Sequence, residues 1–126
     1  MKYEIAYDLQ KEAEKIIDRL GFSYIKKDSI ICIRSYGSSS RAIARCHGMG
    51  KIMQLALNRK AFYVLEFISE KFDKMPEKEK TKVIIHELMH IPKNFGGGFK
   101  HHDYVTEKEV DNMHERYKNT QTDLKW

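Results

Sequence analysis

The chain has 126 residues, of which 41% are hydrophobic and 33% charged, and its formal net charge is +5. This length predicts a single domain over residues 1–126, and the composition excludes a disordered chain, a collagen and a disulfide-knotted miniprotein. No apolar run approaches the ~20 residues of a membrane-spanning helix and the first residues lack a signal-peptide pattern, so we expect a cytoplasmic protein with no membrane partner.

The first predicted element is an amphipathic helix over residues 3–20. Its apolar residues recur at helical spacing: Ala6, Leu9, Ala13, Ile16, Ile17 and Leu20. Gly21 follows at the position where a left-handed C-terminal cap is common. We expect this helix to cover one face of a sheet.

The middle of the chain, residues 22–68, is predicted to form that sheet. Residues 29–36 and 42–47 are short runs rich in β-branched side chains, and the glycine and serines between them indicate a turn. Residues 52–57 are a third candidate strand, with a helix as the alternative. Residues 61–68 are a fourth.

The two cysteines, Cys32 and Cys46, lie on the first two of these strands. They do not form a CxxC pair, so their spacing gives no support to a cysteine-based zinc site. If residues 29–48 form a hairpin, the two thiols come close enough for a cross-strand disulfide. In a reducing cytoplasm we expect both to remain free thiols.

Helices are predicted again in the second half of the chain. Residues 69–75 are a connection or a short helix, and Pro76 suits the first position of the next helix. That helix covers residues 77–91 and ends at Pro92, because proline disfavours a helical residue before it. Residues 93–98 (KNFGGG) are predicted to be a flexible loop.

The last predicted helix covers residues 107–118. Thr106 and Glu109 have the spacing of a capping box. Val105 and Val110 stand where a hydrophobic staple would place them. The buried stripe of this helix is expected to consist of Val110, Met113 and Tyr117.

The most informative motif is HExxH, formed by residues 86–90 within the predicted helix 77–91. Positions i and i+4 share one face of a helix, so His86 and His90 can bind a single zinc ion. Glu87 lies beside them, where it can accept a proton from zinc-activated water as that water attacks a carbonyl. The pattern therefore predicts a zinc site with Glu87 as the general base.

A catalytic zinc site needs a third protein ligand and one open position. The metzincin pattern is excluded, because Lys93 and Gly96 occupy the places of its glycine and third histidine. His101 and His102 follow the glycine-rich loop and are the favoured candidates, with Asp103 as a natural hydrogen-bond partner for the ligating imidazole. Weaker candidates on other elements remain open: Glu107, Glu109, His114 and His47.

Residues 63–105 resemble a metallopeptidase family found in archaea and phages. The resemblance rests on YVLEFISEKFDKM and on KVIIHELMHIPKNFGGGFKHHDYV, which are similar to that family's YVIEV-type strand, SEKFDKL-like connection, HELLHIP motif and glycine-rich turn before LR-x-H. Aligning Phe99 and Lys100 with the family's Leu-Arg places its histidine at His102. The resemblance thus implies peptidase chemistry, a minimal zincin-like fold and one zinc ion bound by His86, His90 and His102.

We therefore expect an α+β domain in which a small mixed β-sheet packs against the N-terminal helix and the HExxH helix. The expected function is zinc-dependent hydrolysis of a peptide or protein substrate. One alternative is a non-catalytic zinc-binding module that uses the +5 charge to contact protein or nucleic acid, although a structural zinc site has no need of Glu87. Another is hydrolysis of a non-peptide amide, which the same motif would support.

Overall fold

The computed structural model describes residues 1–123, with side chains to residue 120, so the last three residues of the predicted domain lie outside it. The strands are β1 (Lys2–Ile5), β2 (Ile30–Tyr36), β3 (Ala44–Gly48) and β4 (Tyr63–Ile68). The α-helices are α1 (Tyr7–Leu20), α2 (Lys51–Leu57), α3 (Ser69–Phe72), α4 (Glu77–Met89) and α5 (Glu107–Asp123). These elements confirm the predicted α+β class.

The strands form one mixed sheet in the order β1-β2-β4-β3. β2 and β4 are parallel, whereas β1 and β3 pair antiparallel with β2 and β4 respectively. β3 therefore lies at an edge, and no other strand of the described chain pairs with its outer side.

Helices α1, α4 and α5 pack on one another, and α1 and α4 contact the sheet. The main core lies between these two layers, where the sheet contributes Cys32, Leu65 and Phe67 and the helices contribute Ile16 and Ile85. Within residues 1–123, no helix is long and apolar enough to cross a bilayer.

Residues 29–48, considered above as a possible hairpin, do not form one, because β4 lies between β2 and β3. Cys32 and Cys46 are both register partners of Leu65, one on each side of it. Two strand spacings put their Cα atoms about 10 Å apart, whereas a disulfide requires roughly 4.4–6.8 Å. A cross-strand disulfide is therefore excluded, and both cysteines are free thiols.

The helix predicted over residues 3–20 begins only at Tyr7, because the preceding residues form strand β1. The backbone of β1 pairs with β2 from Lys2 opposite Tyr36 to Ile5 opposite Ile33. These residues therefore have backbone hydrogen-bond partners that the first turn of a helix would lack. The end of the helix is as predicted: Gly21 adopts φ 69° and caps α1.

Residues 52–57 are not a strand: the alternative of a helix is correct, and this segment belongs to α2, which is capped by Asn58 in the left-handed conformation. Its apolar residues have neither the strand alternation nor a helical stripe facing the core, so periodicity alone could not decide between the two. Of the side chains on α2, only that of Gln54 is partly buried.

The remaining helices differ from the prediction mainly at their ends. α4 stops at Met89, two residues before the predicted end, and His90 is its C-cap in a helical conformation. α5 continues past the predicted residue 118 to Asp123. Its start is as predicted, because Thr106 Oγ1 accepts the Glu109 N–H at 3.2 Å.

Candidate metal centre

Helix α4 carries the HExxH motif and is held by its apolar face. Ile84, Ile85 and Leu88 are buried between the sheet and the other helices. Glu77 and Glu79 lie in the first turn, where negative charge stabilises the helix dipole. This anchoring fixes where the histidines at the other end of the helix can point.

Three imidazoles meet at the C-terminal end of α4. One ring nitrogen from each of His86, His90 and His102 lies within 4.8 Å of the others, and Nε2 of His86 is 3.0 Å from Nε2 of His90. A tetrahedral zinc ion with bonds of about 2.0–2.1 Å would place its ligand nitrogens about 3.3 Å apart. The spacing and the imidazole donor set therefore fit a single zinc ion.

The loop that carries His102 is bonded back to the motif helix. His90 Nδ1 donates to the Lys100 carbonyl at 2.5 Å, and the Lys100 N–H donates to the His90 carbonyl at 2.7 Å. The first bond fixes the His90 tautomer and leaves Nε2 free as a metal donor. Phe99 stacks on the same ring with centroids 4.3 Å apart. Asp103 was expected to accept a hydrogen bond from a ligating imidazole. For His90, the acceptor is instead the backbone carbonyl of Lys100.

Burial sets the protonation of the central groups. It lowers the pKa of His86 to about 4, with smaller contributions from His90 and His102, and it lowers the pKa of His90 as well. Both rings are therefore neutral near pH 7, as metal binding requires. Burial also raises the pKa of Glu87 to about 7, which lies in the range expected of a general base working near neutral pH.

A cleft of about 610 Å³ opens over His86, Glu87 and His102. One wall is the segment that leads into edge strand β3, and the opposite wall is the start of α5. The cleft is lined by both apolar and charged side chains: Ile43, Met75, Val83, Val110, Arg41, Glu79, Lys82, Glu107 and Asp111. The site is thus accessible to a molecule larger than water.

The other candidate ligands lie outside the group of three imidazoles. Glu107 lines the cleft without joining the group, and Glu109 lies at the cap of α5. His114 is buried on α5. His47 lies 2.8 Å from the Glu66 carboxylate. His101 contacts the edge of the Phe99 ring rather than the other imidazoles.

Sequence reasoning missed two side chains that position the glycine-rich loop. Tyr63 donates its hydroxyl hydrogen to the Gly98 carbonyl at 2.8 Å and accepts the Gly97 N–H at 2.9 Å. Gln54 donates to the Gly96 carbonyl at 3.0 Å. The buried tyrosine in β4 was the available signal, because a buried hydroxyl requires a hydrogen-bond partner. Gly97 itself has φ 96°, and a Cβ there would lie 2.1 Å from the Met49 carbonyl oxygen.

We expect Tyr63→Phe to weaken zinc binding by roughly five- to 150-fold without unfolding the protein. The ring still fills its buried site, but the loop before His102 loses two hydrogen bonds worth about 0.5–1.5 kcal/mol each. Competition with a chromogenic chelator measures the affinity. Tyr36→Phe is the matched control, because it removes an exposed hydroxyl bonded to Glu4. Equal zinc affinity for Tyr63→Phe and wild type would contradict this role.

We also expect Glu87→Gln to stabilise the metal-free protein at pH 8. The folded-state pKa of about 7 exceeds the ordinary value of 4.5, so ionising the buried carboxyl costs up to about 3 kcal/mol of stability above pH 7. The gain from glutamine should shrink as pH falls from 7 towards 4.5, where the folded carboxyl keeps its proton.

Urea unfolding in the presence of a chelator, at pH 8 and at pH 5, measures this difference. Glu12→Gln on the exposed side of α1 is the control. A Glu87→Gln protein that is less stable than wild type at pH 8 would contradict this prediction. It would show that the ionised Glu87 carboxylate does not destabilise the folded state.

The model of one known family, described as "Putative phage metallopeptidase", matches residues 1–125 of the chain. This match extends the resemblance from the motif region to both ends of the fold. No curated protein and no solved structure matches the chain.

Proposed function

The chain belongs to the phage metallopeptidase family, whose model covers residues 1–125, and from that premise we propose that it is a zinc-dependent peptidase. The observation that carries the proposal is the meeting of His86, His90 and His102 beside the buried carboxyl of Glu87, at the base of an open cleft. Three imidazoles and an open side are the donor arrangement typical of catalytic zinc sites.

Each residue has a separate role in the proposed reaction. His86 and His90 would hold the ion from a rigid helix, and His102 would complete the set from the loop. When bound, zinc would supply Lewis-acid polarisation of the scissile carbonyl and activation of water. Glu87 would accept the proton of the attacking water and later deliver it to the leaving amine nitrogen. The Lys100 carbonyl holds the His90 ring in the orientation that this arrangement needs.

Edge strand β3 offers a site for the main chain of a substrate. The Ile68 N–H bonds to the Ile43 carbonyl and the Met49 N–H to the Phe62 carbonyl, so alternate residues of this strand point their backbone groups towards β4. The backbone groups of Ala44 and Cys46 therefore face the free edge. An extended peptide could add to this edge as a further strand, beside the cleft that His86 and Glu87 line.

These features favour a peptidase over the alternative functions. A structural zinc site is closed by four protein ligands, whereas two of the three imidazoles here, those of His86 and His102, line an open cleft. The carboxylates of Glu79, Glu107 and Asp111 outnumber the cations of Arg41 and Lys82 in that cleft, so its charge disfavours the phosphates of a nucleic acid. The free strand edge suits an extended polypeptide better than a small amide.

The proposal is tested by zinc analysis followed by digestion of a peptide library. We expect one zinc per chain, cleavage that a chelator abolishes, and recovery of cleavage when zinc is restored. A protein that carries one zinc per chain and cleaves no peptide in the library would contradict the proposed activity.

A further inference from the structure

Helix α2 presents apolar side chains that nothing in the described chain covers. Its four large apolar residues are between 50% and 82% exposed: Ile52, Met53, Leu55 and Leu57. Only Gln54 turns inward, where it donates to the Met49 and Gly96 carbonyls. Burying a side chain of this size normally contributes about 1.5–3 kcal/mol, so a clustered group left in water marks a contact surface.

Part of this helix forms one wall of a groove of about 390 Å³. The groove is lined chiefly by the following side chains: Met53 and Leu57 from α2, Phe62 and Val64 from the β4 region, and His47 from β3. Val64 alternates along β4 with Tyr63 and Leu65, which face the main core, so it points to the opposite face of the sheet. The groove and the three imidazoles therefore lie on opposite faces.

Most of the charged side chains near this groove are positive. Arg59 lines it, with its guanidinium 4.6 Å from the centroid of the Phe62 ring. Exposed Lys51 is the first residue of α2, and exposed Lys60 follows the helix. None of the lining residues carries a carboxylate, and the Glu66 carboxylate beside the groove is 2.8 Å from the His47 ring. A second copy of the chain would bring the same cations together, and each copy has a net charge of +5. The complementary occupant is an apolar side chain flanked by acidic residues.

The groove is also continuous with the free edge of β3. It begins at His47 and Gly48, at the end of that strand farthest from the cleft wall at Ile43. A peptide paired antiparallel with β3 would reach this end with its N-terminal part. At about 3.4 Å per residue, the groove would meet residues about four to six positions N-terminal to the scissile bond.

We propose that this groove is an exosite that binds an acidic, apolar segment of the protein substrate, N-terminal to the bond that is cleaved. The proposal rests on the proposed peptidase function, because it assigns the substrate a path along β3. Binding at such a site would be equal in the ground state and the transition state, so it lowers KM and leaves kcat unchanged.

The test uses the zinc-loaded full chain and a quenched fluorescent peptide that it cleaves. The peptide is made with N-terminal extensions of alternating leucine and glutamate, alternating leucine and lysine, or glycine and serine. We expect the leucine-glutamate extension to lower KM by about tenfold relative to the other two, the effect of burying roughly one apolar side chain, with kcat unchanged.

Leu57→Ser and Met53→Ser should each remove most of this advantage. Ile52→Ser is the matched control, because Ile52 is 80% exposed on the same helix but does not line the groove. Equal KM values for the glutamate and lysine extensions, or an advantage that survives Leu57→Ser, would overturn the exosite. Dimers that disappear in Leu57→Ser but persist in Ile52→Ser would instead assign the groove to a second copy of the chain. Binding to phosphatidylserine vesicles with the same dependence on Leu57 would assign it to a membrane.

Failure of the peptidase function can be separated from failure of the exosite. The labelled leucine-glutamate peptide is titrated with the Glu87→Gln protein, and binding is followed by fluorescence anisotropy without any hydrolysis. Saturable binding that Leu57→Ser abolishes and Ile52→Ser retains would support the groove even if no peptide is cleaved. The absence of binding would overturn the exosite whatever the activity of the wild type.

Discussion

Replacing His86 or His90 with alanine is expected to remove zinc from the protein at equilibrium. The binding free energy of zinc in small protein sites is about 10–16 kcal/mol shared among the ligands, so the loss of one imidazole should weaken binding by about two to three orders of magnitude or more. The rings lie 3.0 Å apart through their Nε2 atoms, and no other described His, Cys, Asp or Glu joins the group to replace either. Zinc content after dialysis against a weak chelator measures the effect.

The neighbouring histidines of the loop provide a matched pair for the third position. His102→Ala should weaken zinc binding strongly, whereas His101→Ala should change it little, because only His102 lies in the group of three imidazoles. Loss of zinc in His101→Ala together with its retention in His102→Ala would show that the loop register is displaced by one residue. Retention of zinc in both variants would direct attention to Glu107, a candidate ligand on α5 that lines the cleft.

The second large effect concerns Glu87. Glu87→Gln preserves the size of the side chain but removes the base, so the hydrolytic rate should fall by about two to four orders of magnitude. Zinc content and fold should remain those of the wild type, because Glu87 is not one of the three grouped donors.

Steady-state rates on one cleaved peptide, at equal zinc occupancy, measure this loss. Glu79→Gln is the matched control, since Glu79 lines the same cleft but lies two turns earlier on α4. Full activity in Glu87→Gln would exclude this residue as the general base, whatever the metal content.

The helical parts of the fold were predictable because their signals are local. The apolar stripe of α1, its glycine cap and the Thr106 cap of α5 are read within a few residues of sequence. The sheet order was not predictable, because β4 inserts between β2 and β3 through pairings that are distant in sequence. The sequence pattern could not distinguish a helix from a strand at α2. This helix buries no apolar side chain, so it lacks the apolar stripe on one face from which a helix is predicted.

The candidate site shows the same division between local and distant signals. His86, Glu87 and His90 follow from the spacing of one motif on one helix. The choice of His102 came from a resemblance, and its position depends on the bond between Lys100 and His90 and on Tyr63, which is distant in the chain. Backbone carbonyl partners have no sequence signature, which is why a side chain, Asp103, was expected in that role.

The central claim is that peptide bonds are hydrolysed at the three-imidazole site with Glu87 as base. The most direct test is mass-spectrometric mapping of new N-termini in a denatured proteome incubated with zinc-loaded wild type or zinc-loaded Glu87→Gln. We predict a set of new N-termini with wild type that is absent with Glu87→Gln and with chelated wild type. The same termini in all three samples, or none above background with fully zinc-loaded wild type, would contradict the account.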